Sequence, residues 1–271
     1  MQGEVEVRLK GEVDLESDTE ETLSTGDGEV DNFLNLVKNT VTLIFGPAFV
    51  GKTTLALSLS LGEVRRGSKV LYLDSEGGVF VRRVKEMSEA RGIGKSTLIR
   101  CFKLLRLYEL KEVLEMLDYA LKYEFDLIVV DSLSRPFLKE LHAPTSEELR
   151  RKYELLSSEV YFEIADFLRE GQDRGVSLIL ISEIKLPARS REGFFYLMPL
   201  PFPQLSTIAK NAVGLFMKDG RRFMYLERHA IQPSIYERPT LLEFTITKEG
   251  VKYLGLAEIS KERIYRQVPI L

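Results

Sequence analysis

The eight residues "GPAFVGKT" at 46–53 constrain the fold more than any other part of the sequence. They match the pattern G-x-x-x-x-G-K-[ST] at every fixed position. Gly46 and Gly51 allow the backbone to curl, so that successive N–H groups converge on one point and can bind phosphate oxygens. The apolar run "VTLIF" (41–45) precedes the motif, and a helix-forming run (53–67) follows it. This succession of strand, loop and helix predicts a phosphate-binding loop.

The side chains at the end of this loop predict the ligand. Lys52 places a cation against the β- and γ-phosphates of a nucleotide, and the Thr53 hydroxyl is a ligand for Mg²⁺. The helix that follows adds its N-terminal dipole to the same field. We therefore expect ATP and Mg²⁺ to bind here. The expected nucleotide-binding residues of the loop are Gly46, Pro47, Ala48, Phe49, Val50, Gly51, Lys52, Thr53 and Thr54.

Apolar strands alternate with amphipathic helices after the loop. Strands are predicted at 69–74, 126–131 and 176–182. One helix is predicted at 81–92, and a longer one runs from Thr145, where a T-x-x-E capping box begins, to about Gly171. Strands joined by helix-length crossovers imply a parallel sheet that is covered on both faces.

The pattern changes after residue 212. "VGLFMKDGRRFMYLERH" predicts a hairpin that turns at Asp219-Gly220, because this dipeptide favours the tight turns between antiparallel strands. "LLEFTITKEGVKYLG" (241–255) predicts a second strand pair. The expected fold class is α/β, with a mostly parallel sheet flanked by helices and extended by antiparallel strands near the C-terminus.

Composition limits the partners and the compartment. The formal net charge is −3, so the chain as a whole has no electrostatic preference for nucleic acid or an anionic membrane. No apolar stretch approaches the length that spans a membrane, and a single cysteine, Cys101, fits a reducing cytoplasm. Asn and Gln are sparse while Lys, Arg and Glu are abundant, which favours a thermophilic source.

Two acidic residues follow predicted strands of the same sheet. Asp131 ends "LIVVD", where an acid can hold Mg²⁺ through a bound water, because ligands gather at the carboxyl ends of parallel strands. "YLDSEGG" (72–78) carries Asp74 at the strand end and Glu76 just beyond it. Hydrolysis requires an unligated carboxylate to orient or deprotonate water. Glu76 is the better candidate because the paired glycines leave it room.

The motifs "GPAFVGKTT", "YLDSEGG" and "LIVVDSLS" together resemble those of the RecA/RadA recombinase ATPases. The resemblance covers roughly residues 25–250 and is greatest to the short archaeal RadA paralogues of RadB type, which lack a helical N-terminal domain. It implies a RecA-like ATPase domain at 25–258, after an acidic arm at 1–24 whose alternating apolar residues favour a strand pair. Residues 259–271 are then a C-terminal tail.

The resemblance also implies roles for individual residues. Glu76 becomes the water-activating glutamate, and Lys52 the second catalytic residue. Either Arg82 or Arg83 is expected to flank the adenine, with Arg83 chosen as the nucleotide-binding residue. The implied activity is slow, Mg²⁺-dependent ATP hydrolysis by an accessory recombinase paralogue in DNA recombination and repair.

The chain departs from the family pattern at two places. Recombinases usually carry Asn-Gln after the fourth core strand, where this chain has Ser182-Glu183. A carboxylate beside a polyanion is repelled unless a cation or proton intervenes, which puts the usual coupling in doubt. "FEIA" (162–165) has the letters of a Phe-x-x-Ala polymerisation motif, but it lies within the long predicted helix. We expect Phe162 and Ala165 to be core residues.

The segment at 185–205 follows the fourth core strand, where the family has a mobile DNA-binding loop. Three interpretations fit it: contact with single-stranded DNA through basic and aromatic residues, docking of a protein partner, or packing within the chain. The candidate contact residues are Lys185, Arg189, Arg191, Phe194, Phe195 and Tyr196.

The expected partners are ATP, single-stranded DNA and a recombinase or another repair protein, within a small homo-oligomer and without a membrane. The alternative function is a nucleotide-gated protein scaffold of KaiC-like or related type, without DNA-dependent turnover. KaiC-like ATPases usually show paired glutamates after the second strand, and this chain has one.

Overall fold

The computed structural model describes residues 21–141, 145–172, 174–185, 198–199, 204–235 and 240–258. Within these ranges, nine strands form one sheet and two short strands form a separate pair. The strands are β1 (Val41–Phe45), β2 (Val70–Asp74), β3 (Phe102–Arg106), β4 (Leu127–Asp131), β5 (Ser177–Ser182), β6 (Ile184–Lys185), β7 (Met198–Pro199), β8 (Asn211–Lys218), β9 (Arg221–Arg228), β10 (Thr240–Ile246) and β11 (Val251–Glu258). The helices are α1 (Gly28–Leu34), α2 (Lys52–Arg66), α3 (Val81–Ala90), α4 (Lys95–Cys101), α5 (Leu110–Lys122), α6 (Ser134–Glu140), α7 (Ser146–Gln172) and α8 (Gln204–Ile208).

The large sheet is parallel over most of its width. Its strand order is β11-β10-β9-β8-β1-β5-β4-β2-β3. The six strands from β8 to β3 in this order run parallel to one another. The strands β9, β10 and β11 extend the sheet in antiparallel pairing. The predicted α/β fold class is therefore confirmed, including its antiparallel C-terminal extension.

Apolar side chains cover both faces of the sheet, since successive residues of a strand point to opposite sides. On β2, Val70 and Tyr72 pack with side chains from helices α1 to α4. Leu71 and Leu73 pack with side chains from helices α5 to α8. The strands β1, β2, β4 and β5 are buried along their whole length. Their uninterrupted apolar runs are typical of a parallel sheet between two layers of helices.

The carboxyl ends of the central strands form one edge of the sheet. Phe45 of β1 pairs with Ser182 of β5, and Asp74 of β2 pairs with Asp131 of β4. Because these strands are parallel, the residues that follow them leave the sheet on the same side. This edge carries the phosphate-binding loop and the two acidic strand ends.

Several local predictions are confirmed. β1 has the predicted bounds, and β5 begins one residue later than predicted. The turn between β8 and β9 is at Asp219-Gly220, with φ angles of 51° and 74°, as a type I′ hairpin turn requires. At the start of α7, the amide of Glu148 donates to the Thr145 hydroxyl over 3.2 Å.

One strand and one side chain differ from the sequence predictions. The strand β3 was not predicted, because "FKLLR" is only partly buried at the edge of the sheet and has a weak apolar pattern. The prediction that Phe162 is a core residue was wrong, since its side chain is 63% exposed on α7. Val160 and Ile164 are fully buried. Side chains two positions apart in a helix point about 200° apart. Phe162 lies two positions from both Val160 and Ile164, so it must face away from the sheet.

For the two ends of the chain, only the predictions from sequence are available. Residues 1–20 and 259–271 lie outside the described residues, so the predicted strand pair in the arm at 1–24 and the tail at 259–271 are not described. The division into an arm, a 25–258 domain and a tail remains a prediction. Among the described residues, no helix is long and apolar enough to cross a membrane.

Candidate nucleotide-binding site

The phosphate-binding loop has the backbone that its glycines predict. A Cβ at Gly46 would lie 2.3 Å from the carbonyl oxygen of Leu215, so only glycine fits there. Gly51 has a φ of 116° at the cap of α2, a value that a side chain disfavours. Phe49, at the tip of the loop, also has a positive φ of 63°, and its side chain is 93% exposed. The loop therefore curls tightly between β1 and α2 and leaves its outer side accessible.

Lys52 folds back over this loop. Its Nζ donates to the carbonyl oxygens of Gly46 at 2.9 Å and Pro47 at 2.8 Å. Burial lowers the pKa of Lys52, while nearby carboxylates, Glu183 first and then Glu76, oppose this effect. The ammonium group is thus held by backbone carbonyl oxygens of the loop, and it makes no direct ion pair with the residues that the structure describes. It is placed to transfer its hydrogen bonds to phosphate oxygens.

Asp131 and Thr53 meet beside Lys52. The Thr53 hydroxyl donates to the buried Asp131 carboxylate, which also accepts a 2.7 Å hydrogen bond from the Tyr72 hydroxyl. Burial raises the pKa of Asp131 to about 6, and the negative charges of Glu76 and Asp74 add to the shift. A hydroxyl and a carboxylate in contact at a strand end are oxygen donors that suit a hydrated Mg²⁺. The residues present therefore fit the expected ion.

Asp74 and Glu76 have different surroundings, although they are two residues apart. The buried Asp74 carboxylate accepts hydrogen bonds from the amides of Glu76, Gly78 and Val79, each at 3.1–3.2 Å. It also lies 3.7 Å from the Arg106 guanidinium. Asp74 is therefore occupied in holding the turn after β2. Glu76 is exposed at the same edge and is the acid available to a substrate.

A pair of serines ties the two acidic strand ends together. The Ser75 amide donates to the Asp131 carbonyl oxygen over 2.8 Å, and the Ser132 amide donates to the Ser75 hydroxyl over 3.0 Å. The Ser132 hydroxyl in turn donates to Oε1 of Glu76. These contacts fix the backbone before Glu76 and orient its carboxylate beside Asp131.

Glu183 completes the ring of charges around Lys52. It follows β5, which lies between β1 and β4 in the sheet. Its amide donates to the Ser134 hydroxyl over 2.7 Å. Lys52 thus faces three carboxylates, those of Glu76, Asp131 and Glu183. Such a concentration of negative charge requires the cations Lys⁺ and Mg²⁺ before a polyphosphate can bind.

Arg83 lies on α3 and contacts the hairpin between β10 and β11. Its guanidinium donates to the carbonyl oxygen of Thr247 at 2.6 Å and, over 3.4 Å, to that of Lys248. The preceding Ile246 side chain approaches the loop, at 3.2 Å from the position of a Cβ on Gly51. Arg83 therefore fixes a turn near the loop, and its contact with adenine remains a prediction. Arg82 is exposed and pairs with Glu86 at 2.7 Å.

The predicted DNA or partner loop is described only at its two ends. Lys185 ends β6, and its partner in the antiparallel pair is Met198 of β7. A short β-ladder therefore closes the base of the segment. The other candidate contact residues, Arg189, Arg191, Phe194, Phe195 and Tyr196, lie outside the described residues.

Sequence reasoning missed the residues that support this site. Tyr72, Ser132 and Ser134 were not singled out, although each contacts a charged group of the site or its backbone. A signal existed for Tyr72, because it shares a strand face with Asp74 and its neighbour on β4 in the register is Val129, two residues before Asp131. No pattern in the sequence indicated the contacts of Ser132 and Ser134.

Comparisons with known proteins agree with this geometry. A family model described as an AAA domain matches residues 30–152. The DNA repair and recombination protein RadB of Thermococcus gammatolerans is 27% identical over 245 residues, which cover 85% of this chain and 98% of that protein. The corresponding protein of Thermococcus kodakarensis is 28% identical over 238 residues, with the same coverage.

A solved structure is similar as well. The crystal structure of the RadB recombinase matches with a TM-score of 0.63 and 27% identity, over 86% of this chain and 100% of that one. The resemblance to the RecA/RadA superfamily, and to its RadB type, is confirmed. The two Thermococcus proteins come from thermophilic archaea, in agreement with the composition.

Proposed function

We propose that this chain, similar in sequence and fold to the RecA/RadA superfamily and its RadB type, binds ATP with Mg²⁺ and hydrolyses it slowly. One observation carries the proposal: Lys52, Thr53, Asp131 and Glu76 converge at a single edge of the sheet. Each has the chemistry that phosphoryl transfer to water requires.

The proposed roles follow from the contacts. The loop amides and Lys52 hold the phosphates, and the carbonyl oxygens of Gly46 and Pro47 release Lys52 when the nucleotide arrives. Thr53, and Asp131 through a bound water, would hold Mg²⁺, which would neutralise phosphate charge. Glu76 orients and deprotonates the attacking water, since Ser132 fixes one of its oxygens and the side chain remains exposed.

The proposed cellular role is recombinational DNA repair, as an accessory paralogue of a recombinase. The supporting evidence is that the similar proteins are named as DNA repair and recombination proteins. Single-stranded DNA and a recombinase or another repair protein are the proposed partners. The basic and aromatic segment after β5 is the proposed contact surface.

Two substitutions test the chemistry. Lys52→Ala is expected to abolish ATP binding in calorimetric titration with Mg²⁺. Glu76→Gln is expected to retain binding and to lose phosphate release by about 10²-fold or more. Glu89→Gln is the matched control, because it makes the same change at an exposed position of α3. Unchanged phosphate release by Glu76→Gln would refute the assignment of Glu76.

The nucleotide-gated scaffold remains a second candidate because of one observation. Leu155 and Phe162, one heptad apart on α7, are 68% and 63% exposed, and exposed apolar side chains at this spacing favour a protein partner. The ATPase rate with and without single-stranded DNA, at fixed salt, separates the two functions. Stimulation by DNA supports the repair role, and equal rates together with ATP-dependent capture of a partner support the scaffold.

A further inference from the structure

The register of the sheet places Glu183 directly beside the phosphate-binding loop. Phe45 of β1 pairs with Ser182 of β5, so the next residues, Gly46 and Glu183, leave adjacent strands at the same level. Lys52 Nζ lies 2.9 Å from the carbonyl oxygen of that same Gly46. The Glu183 side chain therefore starts next to the ammonium group that is expected to hold the terminal phosphates.

The backbone of Glu183 is held in this position from two directions. Its amide donates to the Ser134 hydroxyl over 2.7 Å, and its carbonyl oxygen accepts from the Ser182 hydroxyl over 2.8 Å. Ser182 and Ser134 are both fully buried. Glu183 itself is only partly buried, so its side chain remains accessible to a ligand.

Glu183 differs from the other carboxylates of the site in its contacts. Asp131 accepts from Tyr72 and Thr53, and Glu76 accepts from Ser132. Within the described part of the chain, no group donates a hydrogen bond to the Glu183 carboxylate. Its attraction to Lys52 is also the largest among the three acids. The charge of Glu183 is thus available to oppose a phosphate.

We propose that Glu183 is a specificity-determining residue that weakens the binding of nucleoside triphosphate relative to diphosphate. This inference rests on the proposed function, because it assumes that nucleotide phosphates occupy the loop. Glu183 competes with them for Lys52. It follows β5, the strand between β1 and β4, and so lies between the loop and Asp131, where the γ-phosphate must be accommodated. The additional negative charge of that phosphate is repelled more strongly than the charge of a diphosphate.

The test compares Glu183→Gln with the unmodified protein, because glutamine keeps the size and removes the charge. Calorimetric titrations with Mg²⁺-ADP and with a non-hydrolysable Mg²⁺-ATP analogue give two dissociation constants for each protein. The affinity for the ATP analogue is expected to rise on the order of tenfold, and that for ADP by less than about threefold. The difference is expected to shrink at high salt, since screening weakens interactions between charges.

The control is Glu89→Gln, which removes one negative charge from the exposed surface of α3 and is expected to change neither constant. Equal gains for both nucleotides, or none, in Glu183→Gln would overturn the inference while leaving the proposed function intact. Absence of nucleotide binding in both proteins would overturn the proposed function and the inference with it. Binding of the ATP analogue by Glu183→Gln alone would support the inference and contradict ATP binding by the unmodified protein.

Discussion

Asp131→Asn is expected to make the nucleotide-free protein more stable, although it removes a proposed Mg²⁺-binding group. Burial is the main reason that the pKa of Asp131 rises from 3.8 to about 6 in the folded protein. The shift of about two pKa units corresponds to a cost of about 3 kcal/mol for holding the ionised carboxylate in the folded state at neutral pH. Asparagine keeps the acceptor for the Tyr72 hydroxyl and carries no charge.

The sign of the pH dependence follows from proton binding. Between pH 3.8 and about 6 the folded state binds the Asp131 proton more tightly than the unfolded state does. The free energy of unfolding therefore falls as pH rises through this window and stays lower above it. The advantage of Asp131→Asn is expected to be about 3 kcal/mol at pH 7.5 and about 1 kcal/mol at pH 4.5.

Urea denaturation at these two pH values, without nucleotide or Mg²⁺, measures the advantage. Asp118→Asn is the control, since this exposed carboxylate on α5 is expected to change stability by less than about 0.5 kcal/mol at either pH. A pH-independent difference between Asp131→Asn and the unmodified protein would refute the reasoning. So would a less stable variant at pH 7.5.

Three further outcomes follow from the structure. The affinity for Mg²⁺-ATP is expected to fall about tenfold per pH unit below about pH 6, because Asp131 must then release a proton on binding. Calorimetry in buffers of different ionisation enthalpy measures that proton release. Phe162→Ser is expected to change the free energy of unfolding by less than about 0.5 kcal/mol, whereas Phe167→Ala on the same helix costs about 3–5 kcal/mol; equal effects would contradict the exposure of Phe162. Gly214→Ala is expected to cost about 1–3 kcal/mol in chemical denaturation, because its Cβ would lie 2.1 Å from the Tyr225 ring; an unchanged midpoint would contradict this packing.

The amino-acid sequence determined the features whose physical cause is local. The glycine spacing of the phosphate-binding loop, the buried run of β1 and the turn at Asp219-Gly220 each depend on backbone freedom or side-chain period within a few residues. The role of Asp131 at the end of β4 could also be predicted, because a parallel sheet brings the ends of its strands to one edge. These features were enough to predict the fold class.

Only the tertiary structure decided how the charged groups meet. Tyr72 reaches Asp131 across 59 residues of sequence, and Ser75 and Ser132 join across 57. Such contacts depend on strand order and register, which local periodicity does not contain. The helical pattern around Phe162 likewise left its direction undetermined until the buried face of α7 was known.

Glu183 also shows what the sequence determined and what the tertiary structure decided. The sequence placed a carboxylate after the fourth core strand, and a simple charge argument raised the question of its effect on a polyanion. The pairing of β1 with β5 then set it beside the backbone that Lys52 contacts. The sequence thus determined which charges the site contains, while the sheet register decided which of them oppose each other, because Coulomb energy depends on separation in space.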